Sequence, residues 1–184
     1  MIWNEVLCLG DSLTYGARDR YGRSYPAELG KLLSKKTGEF YVCHNHGING
    51  ETSSDLLRRT WSAIKSNSGC RLMCLMIGTN DTKKPIPTRV YRDNIRQIIM
   101  SARSQGMTPI VGTLPALKFS PYYQNNRDYI EVYNTELKCM AADLGFVLCD
   151  MSGLDEFLID GVHFDNEGYT EIAKRFAAAI LSLA

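Results

Sequence analysis

The sequence has 184 residues, of which 45% are hydrophobic and 22% are charged, and its formal net charge is +1. These values are ordinary for a globular domain, and the small net charge gives no reason to expect a nucleic-acid partner. No apolar run approaches the roughly 18 residues that span a bilayer, and the first residues do not resemble a signal peptide, so we expect a cytoplasmic protein.

Short apolar runs alternate with longer amphipathic segments along the chain. In chain order they predict strand 3–9, helix 24–36, strand 40–44, helix 54–65, strand 72–77, helix 88–105, strand 109–113, helix 127–144, strand 146–149 and helix 167–183. In helix 54–65 we expect Leu57, Thr60, Trp61 and Ile64 to face the core. The alternation predicts parallel strands with helices on both faces, in a single α/β domain over residues 1–184.

Polar clusters follow four of the five predicted strands. They are GDS with Ser12, HGINGET with Gly47 and Gly50, GTND with Asn80, and DGVH with Asp160 and His163. Open α/β sheets bind ligands beyond the carboxyl ends of their strands. We therefore expect these clusters to share one edge of the sheet.

The types of residue in these clusters indicate acyl transfer. A serine such as Ser12 needs a base to become a nucleophile, and His163 can act as that base near neutral pH. Asp160 precedes His163 by three residues, a spacing that brings side chains together in a helical turn. Gly50 permits close backbone approach and Asn80 has an amide, so both can donate hydrogen bonds to an oxyanion.

The motifs GDSLTYG, GINGET, GTND and DGVH, in this order, resemble the four sequence blocks of the SGNH hydrolases, also called the GDSL esterase and lipase family. The resemblance implies a three-layer α/β/α sandwich with a flavodoxin-like, five-stranded parallel sheet of order 2-1-3-4-5. It implies a serine esterase that cleaves a small carboxylic ester or thioester through an acyl-enzyme intermediate. Ser12 would be the nucleophile, His163 the base and Asp160 its orienting acid. The oxyanion hole would combine the backbone N–H groups of Ser12 and Gly50 with the side chain of Asn80.

Several alternatives stay open at this point. Ser12 could instead cap a short helix, Asn80 could be a turn residue, and Gly47 competes with Gly50 as the source of a backbone N–H. A flavodoxin-like sheet could bind a nucleotide, although no phosphate-binding glycine motif occurs and Asp11 would repel phosphate. An acyltransferase would use the same triad with an alcohol as acceptor. Phe164 departs from the family pattern, which often has proline directly after the histidine.

We predict neither a metal site nor a cofactor. Cys43, His44 and His46 are closely spaced, but strand alternation places His44 on the opposite face from Cys43. Most of the six cysteines lie in apolar runs, where cysteine acts as a small hydrophobic residue. Esterase activity is therefore expected to survive chelators.

The identity of the ester is not readable from the motifs. The long connection 114–126 contains Phe119, Tyr122 and Tyr123, which either form a wall of the substrate pocket or pack the loop onto the domain. Basic residues follow two of the motifs: Arg18, Arg20, Arg23, Lys83 and Lys84. These residues either form a cluster at one edge that favours anionic esters or are ordinary solvated surface charges.

Overall fold

The computed structural model describes residues 3–83, 85–118 and 128–183. Its five strands are β1 (Trp3–Gly10), β2 (Phe40–Gly47), β3 (Leu72–Met76), β4 (Thr108–Gly112) and β5 (Val147–Cys149). They form one sheet in the order β2-β1-β3-β4-β5, and every neighbouring pair is parallel. The predicted flavodoxin-like sheet is therefore confirmed.

Within the described residues, six α-helices connect and cover the strands. They are α1 (Ser12–Tyr15), α2 (Tyr25–Thr37), α3 (Ser53–Ser66), α4 (Thr88–Ser104), α5 (Asp128–Leu144) and α6 (Asn166–Leu181). Thr52 begins α3 with a capping box in which its side chain and that of Asp55 each accept a hydrogen bond from the other's backbone N–H. The five longer helices lie where the periodicity predicts them, whereas α1 is too short to produce a periodic signal.

The sheet separates two hydrophobic cores. Helices α3, α4 and α5 pack on one face, and α2 and α6 pack on the other. Successive residues of β1 alternate between the cores, so that Leu7 lies among the first set of side chains and Cys8 among the second. Strands buried on both faces explain the apolar runs in the sequence. Within the described part of the chain, no helix is both long and apolar enough to cross a membrane.

The rotation of α3 differs from the prediction. Trp61 is 50% exposed and was wrongly expected to face the core, whereas Leu56 and Ala63 are buried. The ammonium group of Lys65 lies 5.2 Å from the centroid of the Trp61 ring and covers part of it. Leu56, Thr60, Ala63 and Ile64 form the buried stripe at helical spacing, and this stripe sets the orientation of the helix.

Candidate active site

Ser12 lies at the carboxyl end of β1, where the chain turns directly into α1. Asp11 caps this helix, because its Oδ1 accepts a hydrogen bond of 2.9 Å from the backbone N–H of Leu13. The interpretation of Ser12 as the helix cap is therefore wrong. Ser12 is instead the first residue of α1 and is 7% exposed.

His163 and Asp160 lie on one tight turn before α6. Asp160 Oδ1 accepts hydrogen bonds from the backbone N–H groups of Val162 (3.1 Å) and His163 (2.8 Å), and Oδ2 lies 2.8 Å from His163 Nδ1. The expected pair thus forms, but in a turn closed by the aspartate side chain and not in a helical turn. Phe164, which departs from the family pattern, is fully buried and forms an antiparallel bridge with Leu158 that closes the turn.

A continuous hydrogen-bonded chain joins these residues. His163 Nε2 lies 3.1 Å from Ser12 Oγ, so the imidazole sits between the hydroxyl group and Asp160. For Asp160 to accept a bond from the ring, Nδ1 must hold the proton. Nε2 is then the acceptor for the serine hydroxyl, which is the arrangement that a general base requires.

Asp160 is held in its charged form. Partial burial raises the pKa of Asp160, but hydrogen bonds from the backbone and ring of His163 outweigh it and lower the pKa to about 2. Arg18 Nε donates a further bond of 3.1 Å to Asp160 Oδ2. Arg18 has a φ of 72°, which is unusual for a residue with a side chain. The sequence indicated only a positive charge at Arg18, because its contact with Asp160 spans 142 residues.

Gly47 is the last residue of β2 and Gly50 lies in the loop that follows, and the surroundings of the two glycines differ. Gly47 donates its N–H to Asn45 Oδ1 at 2.9 Å, and a Cβ atom at Gly47 would lie 2.1 Å from the backbone nitrogen of Tyr15. Its role is to let β2 and α1 approach closely. Gly50 has a φ of 80°, and a Cβ atom there would meet nothing within 4 Å. Gly50 is therefore the glycine that borders open space.

A hydrogen bond connects Asn80 to the loop that contains Gly50 and Glu51, called here the Gly50 loop. Asn80 Nδ2 donates 2.9 Å to the backbone carbonyl of Glu51. Arg59 of α3 holds the Glu51 carboxylate with its Nε (2.7 Å) and a terminal nitrogen (2.6 Å), and the same terminal nitrogen donates to the carbonyl of His46 at 2.8 Å. A third, longer contact of that nitrogen reaches the carbonyl of Gly10 at 3.3 Å. The guanidinium group therefore fixes the loop against the ends of β1 and β2.

Asp81 connects the GTND segment to the start of α3. It is fully buried and accepts hydrogen bonds from the backbone N–H (2.8 Å) and hydroxyl (2.5 Å) of Ser53 at the start of α3. Asn94 of α4 in turn donates to the Ser53 hydroxyl at 2.9 Å. Ser53 and Asp81 are 28 residues apart in the chain, so this contact is not evident from the sequence.

The residues singled out from the motifs line one open pocket of about 390 Å³. Ser12, Gly50, Asn80 and His163 contribute to its wall, and Arg18 lies on its rim. The loop aromatics Phe119, Tyr122 and Tyr123 lie outside the described residues, as does Lys84. The structure therefore brings the four sequence clusters to one edge of the sheet, at one cavity.

The fold matches solved structures over almost the whole chain. The carbohydrate acetylesterase Est24 from Sinorhizobium meliloti superposes with a TM-score of 0.84 at 18% identity, covering 98% of this chain and 100% of its own. The aryl esterase from M. smegmatis gives 0.82 at 17% identity, covering 98% and 100%. The hydrolase LAE5 from the metagenome of Lake Arreo, Spain, gives 0.82 at 22% identity, covering 98% and 96%. No curated protein sequence gives a match.

The parallel sheet between two helical layers, with polar clusters at its carboxyl edge, defines a three-layer α/β/α protein with a site at the ends of its strands. The model of the GDSL-like Lipase/Acylhydrolase family matches residues 8–170. The chain belongs to this family, and it is a carboxylic ester hydrolase.

Proposed function

We propose that the protein hydrolyses its ester with a Ser12–His163–Asp160 triad and an acyl-enzyme intermediate. The observation that supports this best is the hydrogen-bonded chain from Ser12 Oγ to His163 (3.1 Å) and on to Asp160 (2.8 Å) at the wall of the pocket. His163 takes the proton as Ser12 Oγ bonds to the acyl carbon. It then returns that proton to the departing alcohol as the ester C–O bond breaks.

Water completes the reaction at the same residues. His163 removes a proton from a water molecule, the hydroxide oxygen bonds to the acyl carbon, and the proton passes to Ser12 Oγ as the acyl–serine bond breaks. The carboxylic acid then leaves and Ser12 is restored. Asp160 stays ionised throughout and stabilises the imidazolium form of His163, in keeping with its lowered pKa of about 2.

The oxyanion hole combines the backbone N–H groups of Ser12 and Gly50 with the Asn80 side chain. Ser12 begins α1, where the first N–H groups have no acceptor within the helix. Gly50 and Asn80 lie on the same pocket wall, and the bond from Asn80 to Glu51 holds the two in a fixed relation. Donors that are already in place lower the barrier more than donors that must reorganise.

The substrate is a small ester with a polar or aromatic alcohol. The described lining of the pocket combines polar side chains, among them Arg18 and Asn49, with the ring of Tyr15, and its volume is about 390 Å³. The structural neighbours include a carbohydrate acetylesterase and an aryl esterase. We expect acetyl esters to be cleaved faster than long-chain esters, and a single domain over residues 1–184 to suffice.

A fluorophosphonate probe tests the mechanism directly. Intact-protein and peptide mass spectrometry should show one adduct on Ser12, with loss of p-nitrophenyl acetate hydrolysis in step with labelling. His163→Ala should label slowly, and Ser12→Ala should not label at all. Adducts on another residue, or full activity after complete labelling of Ser12, would refute the mechanism. The same assay with p-nitrophenyl esters of rising chain length and with acetylated sugars then measures the substrate preference.

A further inference from the structure

A second group of reactive side chains lies far from the pocket, near the amino end of β1. Glu5 on β1, His44 on β2 and Cys70 just before β3 each place a ligand atom within 4.8 Å of the other two. His44 Nε2 lies 3.0 Å from Glu5 Oε2. Glu5 precedes Ser12 by seven residues on an extended strand, so the group lies on the order of 20 Å from the catalytic serine.

Strand register brings these three residues together. Leu7 is the partner of His44 in the β1–β2 pair, and Glu5 lies one alternation earlier on the same face of β1. The backbone N–H of Arg71 donates to the carbonyl of Glu5 at 3.4 Å, which places Cys70 beside it. Cys43 packs against the opposite core. The sequence argument against a metal considered His44 with Cys43 and His46, and the structure gives His44 different neighbours.

We propose that Glu5, His44 and Cys70 bind Zn²⁺, with water as the fourth ligand. Carboxylate oxygen, imidazole nitrogen and thiolate sulfur are the three protein donors that zinc accepts. Ligand atoms of a tetrahedral zinc site lie roughly 3.3–3.8 Å apart, given metal–ligand distances of about 2.0–2.3 Å. Small side-chain rotations therefore bring the three atoms to coordination distance.

Exposure of the group suits an exchangeable ion. The side chains of Glu5 and His44 are each 34% exposed, so solvent reaches the site and can supply the water ligand. Cys70 is 1% exposed and anchors the inner side. A hydrogen bond between Glu5 and His44 accounts for two of these residues, whereas a zinc site also accounts for the thiol beside them.

Zinc at this position would join three separate segments. It would attach β2, which is an edge strand, to β1 and to the turn before β3. An ion that binds only the folded chain stabilises it by mass action. This departs from the expectation of no metal site, yet it places the ion away from the ester, so hydrolysis should not require it.

Cobalt provides a direct test, because Co²⁺ bound to a thiolate has a charge-transfer band in the near ultraviolet. The full-length protein, stripped with chelator and titrated with Co²⁺, should develop this band at one ion per chain, and Zn²⁺ should displace it. Cys70→Ala should lose the band, while Cys139→Ala, which removes an exposed thiol elsewhere, should keep it. His44→Ala should abolish saturable Zn²⁺ binding in calorimetry and the rise in Tm that Zn²⁺ gives the wild type.

Two results would overturn the zinc site. One is the absence of the thiolate band in folded wild-type protein at saturating Co²⁺. The other is equal Zn²⁺ affinity in the wild type and in His44→Ala, which would place the ion elsewhere. If Cys70→Ala does not fold, the comparison of His44→Ala with His46→Gln decides the matter, since only the former removes a proposed ligand. Ester hydrolysis is measured in parallel and should be the same with chelator and with Zn²⁺.

Discussion

Two histidine–carboxylate pairs lie near opposite ends of the strands of the sheet. His163 and Asp160 are 2.8 Å apart beyond the carboxyl ends of the strands, and His44 and Glu5 are 3.0 Å apart near the amino end of β1. The pairs are alike in distance and in partial exposure. They differ in the third group: His163 contacts the hydroxyl of Ser12, whereas Cys70 lies beside His44.

The neighbours of each pair decide its chemistry. Burial, followed by the negative charge of Glu5, raises the pKa of Cys70 to about 12, so without a cation the thiol is protonated and a poor nucleophile. A metal-bound thiol, in contrast, is deprotonated outright. Ser12 borders a pocket with Gly50 and Asn80, and these supply the donors that acyl transfer needs. A histidine–carboxylate pair therefore indicates catalysis only where a nucleophile, a cavity and anion donors accompany it.

The largest expected contrast separates the two histidines. Ser12→Ala and His163→Ala should each lower kcat by about 10⁶, because the triad acts as a unit. The double mutant should be hardly worse than either single mutant. His44→Ala should keep kcat within about twofold, since any effect must travel the length of β1. The measurement is kcat for p-nitrophenyl acetate, with each variant purified free of host esterases. If Ser12→Ala retained a tenth of the wild-type activity, Ser12 would not be the nucleophile.

The next largest difference in kcat is expected between variants of the two carboxylates, Asp160 and Glu5. Asp160→Ala leaves the imidazole in place but removes its orientation and charge support, so kcat should fall by about 10⁴, less than for His163→Ala. Glu5→Gln should leave kcat unchanged while weakening the binding of Zn²⁺. Measuring both quantities for both variants gives a cross-check. A loss of turnover in Glu5→Gln without unfolding would show that the two regions are not independent.

Asn80→Ala should have an intermediate effect. Loss of one oxyanion donor costs about 10² to 10³ in kcat, or about 3–4 kcal/mol of transition-state stabilisation. KM should change little, because the bond strengthens as charge develops on the oxygen. Steady-state kinetics on one soluble short-chain ester would show this split. A rise in KM at constant kcat would assign Asn80 to ground-state binding instead.

The fold and the positions of the motifs were predictable because they depend on local signals. Apolar runs predicted the five strands, helical periodicity predicted α2–α6, and the order 2-1-3-4-5 followed from the resemblance. Four clusters after four strands then met at one edge, as parallel topology requires. The roles of Ser12, Asp160, His163, Gly50 and Asn80 remain predictions, which the variants above test.

Long-range polar contacts could not be predicted. The contacts of Arg59 with Glu51, Asp81 with Ser53, and Arg18 with Asp160 join residues 8, 28 and 142 positions apart. Charged residues on a helix usually face solvent, so nothing in the sequence distinguished Arg59 from Arg58, its exposed neighbour. The rotation of α3 was missed for a related reason, because a half-exposed tryptophan has the same hydrophobicity as a buried one.

Arg59→Lys tests whether the guanidinium group of Arg59 positions the loop that contains Gly50. Lysine cannot form the forked bond to Glu51 and also reach the carbonyl of His46, so the Gly50 loop should lose its fixed position. We expect kcat to fall by about ten- to a hundredfold with little change in KM, since misplaced donors affect the transition state most. Arg58→Lys is the matched control, because Arg58 is on the same helix, is exposed, and among the described residues pairs with Asp55. Equal kinetics in the two variants would remove the positioning role of Arg59.

The last expected effect concerns stability: Asp11→Asn should change how the free energy of unfolding depends on pH. Burial raises the pKa of Asp11 from 3.8 to about 7, and its Oδ2 has no hydrogen-bond partner among the described residues. Between these values the unfolded chain has lost a proton that the folded chain keeps, so stability falls as pH rises from about 4 to 7 and then levels off.

Asparagine removes this titration and still accepts the bond from Leu13, so Asp11→Asn should unfold at higher urea than the wild type at pH 8. The gain should be a few kcal/mol at most, at about 1.4 kcal/mol per pKa unit, and it should vanish near pH 4. Asp150→Asn is the control of opposite sign: hydrogen bonds from the backbone and side chain of Ser152 lower the pKa of Asp150, so its contribution to stability is lost only in acid, and its pH 5–8 slope should match the wild type. A slope in Asp11→Asn equal to that of the wild type would mean that Asp11 is already ionised in the folded protein.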